Sequence, residues 1–487
     1  MPVIGIQTEL LLQRLGARLE QQELIEHLQH LGCDVEGFAT LRRFRCERCG
    51  NLSEIVHTQD PPVQCERCGV DFKLQPELLS PAGEVDVLRM ELLAVRLDMF
   101  DPGGLARMLR AYLGLAKEPP RYPVAPARLR VEVDERMLGP RCPRPAIACA
   151  VVQGLSLTDD LVKVVMKLQE NLHWALGRDR KHASIGVYDL ATLDTDRTLR
   201  YRAVGPEELR FVPLGYPPDD PAALLTPRQI LEQHPKGRAY AHLLAGWELY
   251  PLLHDGSGQV LSLPPIINSE QTRVQLQTRG FFIDVTGTER RIVGRALNVL
   301  VTSLLELTPG LELQAVTVAY PDGEVVTPEL APQRVTLDTA ETARLIGIPL
   351  DDGEAARLLA RMGHQVTRWQ EGTLEVAVPA YRNDILHPRD LMEDVAIAFG
   401  YHNIVPRLDP TFTVGRPLPL EERAAQARLA LAGMGLQEVM TLHLTSPEVA
   451  CDALGLPRRE DHVQIANPIS VEETMPRISL LPGLLQT

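Results

Sequence analysis

The chain has 487 residues, 45% of them hydrophobic and 23% charged, and carries a net charge of −14 at pH 7. That length predicts about three or four domains with ordinary apolar cores, and the acidic balance argues against indiscriminate nucleic-acid binding while leaving room for a local basic groove. No run is apolar for the length of a membrane span, Met1-Pro-Val-Ile-Gly5 lacks the layout of a signal peptide, and Cys33, Cys142, Cys149 and Cys451 show no disulfide-framework spacing, so a soluble protein of a reducing compartment is expected.

The first 115 residues or so contain one copy of a repeat. Leu15-Gly16, Leu19, Glu23, Leu28, Leu31-Gly32 and Val35 recur as Ile346-Gly347, Leu350, Glu354, Leu359, Met362-Gly363 and Val366, at one constant offset of 331. Further on, Arg96, Asp98, Pro102, Leu105 and Gly114 recur as Arg382, Asp384, Pro388, Leu391 and Gly400 at an offset of 286, so the first copy holds about 45 additional residues. These lie at about 40–80 and contain Cys46-Glu-Arg-Cys49-Gly and Cys65-Glu-Arg-Cys68-Gly. Each glycine lets the backbone turn tightly under a metal-bound sulfur, and four thiolates satisfy tetrahedral zinc. A rubredoxin-like iron site or a reduced, empty cluster is the other reading. His57 is not needed as a ligand. Because a ribbon of this size buries little core, the metal is expected to supply its folding energy. Arg42, Arg43, Arg45, Arg48 and Arg67 make it locally basic, as either an RNA-phosphate contact or a solvated face.

Glu118-Pro-Pro-Arg-Tyr-Pro-Val-Ala-Pro126 reads as a linker. A middle domain over 116–330 mixes strand-like runs at 146–152 and 184–188 with helical ones at 161–176 and 291–307. No serine, histidine and aspartate arrangement in it stands out as a nucleophilic triad, and the chain has no glycine-rich phosphate loop. The second copy of the repeat, over 333–407, carries the densest chemical signal. Pro388 opens a helix, placing Asp390, Glu393 and Asp394 at i, i+3 and i+4 with Asp384 just upstream, while Leu391, Val395 and Ala398 form a separate apolar stripe. Four carboxylates suit a hard cation, magnesium first, although acidic residues in a first helical turn are also favoured by the helix dipole alone. The first copy has Gly104, Arg107 and Met108 where the second has Asp390, Glu393 and Asp394, so the scaffold folds without the acidic cluster. Over 415–487, a helix is expected at 420–434 and a strand at 438–444, and the chain ends in what reads as the middle of a domain.

Pro379-Ala-Tyr-Arg-Asn-Asp-Ile-Leu-His387 and Glu393-Asp-Val-Ala-Ile-Ala-Phe-Gly-Tyr401 resemble the magnesium-binding module of the phenylalanyl-tRNA synthetase beta-subunit family, archaeal and eukaryotic type. Leu168-Gln-Glu-Asn-Leu-His173, Lys181-His-Ala-Ser-Ile-Gly-Val-Tyr-Asp-Leu190, Phe211-Val-Pro-Leu-Gly215, Leu263-Pro-Pro-Ile-Ile-Asn-Ser269 and Phe282-Ile-Asp-Val-Thr-Gly-Thr288 are similar to its editing domain. Asn467-Pro-Ile-Ser470 and Arg477-Ile-Ser-Leu-Leu-Pro-Gly-Leu-Leu485 are similar to the start of its synthetase-like domain.

The resemblance implies an α+β multidomain fold. Its parts are two winged-helix-like modules, a mixed α/β editing domain, the zinc-ribbon insertion (which is not usual in the family) and a partial antiparallel synthetase-like domain. It implies magnesium on Asp384, Asp390, Glu393 and Asp394, ATP used by a complex with an alpha subunit (an alpha2-beta2 tetramer), tRNA(Phe) as partner, no membrane and a cytoplasmic location. It also implies editing of tyrosyl-tRNA, with Asp284 accepting the tyrosine hydroxyl, Thr286 fixing the amino acid or a water, and Asn268 and Ser269 on the polar end. Read as local structure, Asp284 and Thr286 are alternating polar groups of a strand and Asn268-Ser269 is a turn. His182 is a phosphate contact or a surface residue. Two other classes fit parts of the sequence: a free-standing hydrolase of mischarged tRNA, favoured by the early end, and a non-enzymatic zinc-containing RNA- or protein-binding adaptor, suggested by the ribbon.

Overall fold

A computed structural model describes residues 3–48, 50–65, 69–91, 95–408, 410–411 and 413–487, which form two compact units, 1–405 and 406–487. The first copy of the repeat comprises β1 (Val3–Gln7), α1 (Thr8–Leu15), α2 (Gln21–His30), β2 (Asp34–Cys46), β3 (Leu52–Val56), β4 (Leu79–Glu91) and α3 (Pro102–Tyr112). The middle region follows with β5 (Val124–Val133), β6 (Ala146–Gln153), α4 (Asp159–Trp174), β7 (Ala183–Asp189), β8 (Leu199–Val204), α5 (Pro227–Gln233), α6 (Pro235–Tyr240), β9 (Tyr250–His254), β10 (Val260–Leu263), β11 (Ile267–Asn268), β12 (Gly280–Gly287), α7 (Arg290–Leu307), β13 (Glu312–Tyr320) and β14 (Gly323–Thr327). The second copy is β15 (Gln333–Asp338), α8 (Thr339–Ile346), α9 (Asp352–Arg361), β16 (Gln365–Gln370), β17 (Thr373–Val378) and α10 (Pro388–Phe399).

The two copies correspond element by element. Helices α1 and α2 become α8 and α9 at the offset of 331, and α3 becomes α10 at 286. The antiparallel order β1-β4-β2 becomes β15-β17-β16. Gly16 and Gly347 end equivalent helices in the left-handed conformation, at φ 74° and 81°, where a side chain would be strained. The insertion extends β2 and β4 to 13 residues each and adds β3 at the sheet edge.

Between the copies lies a ten-stranded sheet ordered β11-β10-β9-β8-β5-β13-β6-β12-β7, with β14 paired to β13. Strands β6 and β12 are buried almost throughout, as befits central strands covered on both faces, and α7 packs on one side of them. One apolar core runs from Leu11 and Leu105 through Leu300 to Leu391, so the repeats are joined to the sheet by shared packing. Polar anchors reinforce the junction: Tyr122 Oη donates to Glu306 Oε1 at 2.6 Å, and the Arg107 guanidinium lies 3.6 Å from the Tyr381 ring centroid, a cation–π geometry.

The second unit contains α11 (Pro419–Gly433), β18 (Leu444–Thr445), α12 (Pro447–Ala450), β19 (Met475–Pro476) and α13 (Leu481–Gln486). The strand expected at 438–444 is confined to Leu444–Thr445, antiparallel to β19. Among the described residues the rest of that run finds no neighbouring strand, and alternation without a partner does not make a sheet. No helix among the described residues is long and apolar enough to cross a membrane.

Candidate functional site

A cavity of about 610 Å³ opens beside the sheet and is walled by α4, β7, the segment from Ser262 to Asn268, and Phe281 and Asp284 of β12. The antiparallel pairing of β7 with β12 sets Gly186 opposite Asp284 and Ser184 opposite Thr286. A side chain at Gly186 would lie 2.1 Å from Tyr188 Oη and 2.3 Å from Asp284 Oδ1. Glycine there lets the Tyr188 hydroxyl lie across the strand, where it is 2.5 Å from Asp284 Oδ1 and 2.7 Å from Ser262 Oγ. Burial pushes Asp284 up to about 7, against the pull of Tyr188 and the nearby Arg144 guanidinium.

The four residues expected here divide. Asp284 and Asn268 line the cavity. Thr286 is fully buried one step behind the wall, its Oγ1 3.1 Å from Ser184 Oγ, and Ser184 itself faces the cavity. Ser269 has a local role: its Oγ accepts the Gln271 N–H and caps the turn over 270–272. It is absent from the cavity lining, which runs through Ile266, Ile267 and Asn268 and stops short of it. His182 is likewise elsewhere, with Nδ1 3.3 Å from Thr288 Oγ1.

Sequence reasoning missed Tyr188, Ser262 and the far wall. After α4, Arg178, Asp179 and Arg180 have φ of 46°, 54° and 65°, a left-handed turn costing on the order of 1 kcal/mol per residue. It brings Arg180 back over the cavity, where Nη2 donates to Glu170 Oε1 at 2.7 Å and the guanidinium stacks 4.5 Å from the Tyr240 ring. Glu170 is held down to about 2 although burial opposes it, by His173, Arg180 and Lys236. The alternation Ser184, Gly186, Tyr188 was the available signal for the strand face.

In the structure the four carboxylates expected to hold magnesium make separate contacts. Asp384 and Asp394 both grip the buried Arg382, at 2.7 and 2.8 Å from Nη2, and Asp394 Oδ2 lies 2.6 Å from His364 Nε2. Asp390 Oδ2 accepts the backbone N–H groups of Leu386 and His387, each at 2.7 Å, as part of a capping box. Glu393 is exposed while its neighbour Asp394 is buried. Among the described residues no three His, Cys, Asp or Glu side chains are gathered to hold a metal. The reason is legible in the other copy, where Arg96 pairs with Asp98 and with Met108 Sδ at 3.2 Å. Asp394 occupies the Met108 position and His364 the Cys33 position, so the added carboxylate serves a guanidinium already present. Burial opposes ionisation of Asp394, but Arg382 and His364 hold it down to about 2.

Residues 335–401 match the family profile described as the tRNA synthetase B5 domain, and residues 405–487 that of the phenylalanyl tRNA synthetase beta chain CLM domain. A Phenylalanine--tRNA ligase beta subunit of Methanothrix thermoacetophila is 40% identical over 405 residues, covering 83% of this chain and 72% of that protein. The subunit of the same name from Pyrococcus furiosus is 42% identical over 392 residues, covering 80% and 68%. The chain belongs to the phenylalanine–tRNA ligase beta-subunit family. A crystal structure of an N-terminal fragment of the phenylalanyl-tRNA synthetase beta subunit from Pyrococcus horikoshii is similar at a TM-score of 0.68 and 32% identity, covering 82% of this chain and 99% of that fragment.

This member of the beta-subunit family carries Cys46 and Cys65 on two equivalent turns. Gly50 N–H donates to Cys46 C=O at 2.8 Å and Gly69 N–H to Cys65 C=O at 2.9 Å, with φ 70° and 71° at the glycines. Cys46 and Cys65 are buried in one small cluster with Val70 and Phe72. Cys49 and Cys68 lie outside the described residues, as does Arg67. Of the arginines expected to make the ribbon basic, two meet acidic partners: Arg43 pairs with Asp160 and Glu54, and Arg45 with Asp159.

Proposed function

We infer that this chain works as the beta subunit of phenylalanine–tRNA ligase. Assembled with an alpha subunit as an alpha2-beta2 tetramer in the cytoplasm, it supports ATP-dependent attachment of phenylalanine to tRNA(Phe), contributing tRNA binding, assembly and hydrolytic editing. Its likeness to beta subunits along about 400 residues carries this reading. Amino-acid activation, with ATP, is assigned to the alpha subunit of the complex; this chain carries no glycine-rich phosphate loop. Magnesium at Asp384, Asp390, Glu393 and Asp394 would require Arg382 to give up two carboxylates.

Four divisions fit the work: a module at 1–115 with its ribbon, an editing domain at 116–330, a second winged-helix-like module at 333–407 and a synthetase-like domain at 415–487. Structural zinc on Cys46, Cys49, Cys65 and Cys68 is supported by the matched Cys46 and Cys65 turns, which bring two buried thiols together.

Editing answers a physical need. A hydrophobic activation pocket rejects one added hydroxyl by a factor of only about a hundred, so a second site that favours the hydroxyl is required. In the 610 Å³ cavity a tyrosyl ring packs against Val165, Met166 and Phe281, with its hydroxyl donating to Asp284. Tyr188 orients that carboxylate through Oδ1. Asn268 holds the polar end, Thr286 acts through Ser184, and a positioned water attacks the ester. Co-expression with an alpha subunit tests the assignment: the two chains co-purify, and phenylalanylation of tRNA(Phe) needs both. Tyrosyl-tRNA hydrolysis without association would instead indicate a free-standing hydrolase, and neither activity nor association a zinc-containing adaptor.

A further inference from the structure

Helix α4 has two working faces. Val162, Val165, Met166, Gln169 and Glu170 wall the cavity. The other face is held by the inserted hairpin of β2 and β3. Arg43 pairs with Asp160, Arg45 Nη2 lies 2.7 Å from Asp159 Oδ2, Lys167 Nζ lies 2.5 Å from Glu54 Oε2, and Lys163 Nζ donates to the Leu52 carbonyl at 2.6 Å. The signs alternate, arginines of the hairpin on the acidic first turn and a glutamate on the lysines of the next turns. A slide of the hairpin by one helical turn would therefore oppose like charges.

The same hairpin reaches the cavity. Asn51 follows the left-handed Gly50, is half-buried and lines the opening. Its carbonyl is fixed by the Cys46 N–H at 2.9 Å, while its side-chain Nδ2 reaches Ser53 Oγ only at 3.5 Å, leaving the amide oriented and available to a guest.

We propose that the inserted hairpin is a working part of the pocket: it fixes the α4 wall through these ion pairs and presents Asn51 as a rim contact for the esterified nucleotide. This rests on reading the cavity as the deacylation site. A neutral amide hydrogen-bonds ribose hydroxyls and base edges without adding charge beside the ester, so it improves binding and leaves the attacking water untouched. Arg43, Arg45, Asp159 and Asp160 are positioning residues that act through α4.

The test uses the intact protein, tyrosyl-tRNA(Phe) deacylation and amide exchange of residues 159–174. Asn51→Ala should raise KM about five-fold, the worth of one neutral hydrogen bond, with kcat unchanged. Arg45→Glu should raise KM and speed exchange in α4, and adding Asp159→Arg should restore most of both. If the unmodified protein hydrolyses the ester and Asn51→Ala leaves KM unchanged, the rim contact is refuted. If Arg45→Glu leaves α4 exchange unchanged, or the charge swap fails to rescue it, the brace is refuted. Absence of hydrolysis by the unmodified protein would remove the deacylation reading and the rim contact with it, and the exchange measurement would still decide the brace.

Discussion

Asp284 and Asp394 are both buried carboxylates, and their surroundings send them in opposite directions. Asp394 faces a guanidinium and an imidazole and stays ionised, held at about 2. Asp284 faces a phenol and a more distant Arg144 and is raised by burial to about 7, from an ordinary 3.8. A carboxyl group whose folded pKa is raised contributes stability that is complete below its unfolded value, about pH 4, and is lost as pH climbs through about 7. Asp284→Asn cannot ionise, so its unfolding free energy should fall less than that of the unmodified protein between about pH 5 and pH 9, by on the order of 3 kcal/mol. Parallel pH profiles in denaturant melts would mean that Asp284 ionises without cost. None of this was readable from the sequence around Asp284, because Tyr188 and Arg144 are brought to it by strand pairing.

Elements were more legible than their partners. Pro388 and the stripe of Leu391, Val395 and Ala398 located α10, and the stripe is buried as expected. The apolar period over 291–307 located α7 within one residue. The repeat offsets held helix by helix. What the one-dimensional pattern could not carry was which charge each side chain meets: spacing at i, i+3 and i+4 grouped Asp390, Glu393 and Asp394, yet one caps the helix, one is exposed and one is buried against Arg382. Nor could it place the parallel pairing of β13 with β5, whose strands are far apart in the chain. Elemental analysis of the isolated chain after dialysis against magnesium checks the metal side of this reading. One zinc per chain and no retained magnesium is expected, whereas retained magnesium lost in Asp394→Ala would restore the carboxylate site.

At the scale of the whole molecule, the repeats, the ten-stranded sheet and the inserted hairpin share one unit, and the cavity sits where β7, β12 and α4 meet. The family likeness extends over the same residues and into the second unit. On the proposed editing function, that cavity sorts tyrosine from phenylalanine by one hydroxyl, and Asp284, which lines it, is the group proposed to read it. The most direct measurement compares deacylation of tyrosyl-tRNA(Phe) and phenylalanyl-tRNA(Phe) by the unmodified protein and by Asp284→Ala. The unmodified protein should release tyrosine at least about ten-fold faster, the discrimination of one buried polar contact, and Asp284→Ala should abolish that preference. Equal rates on both esters, or a preference that survives Asp284→Ala, would contradict the account.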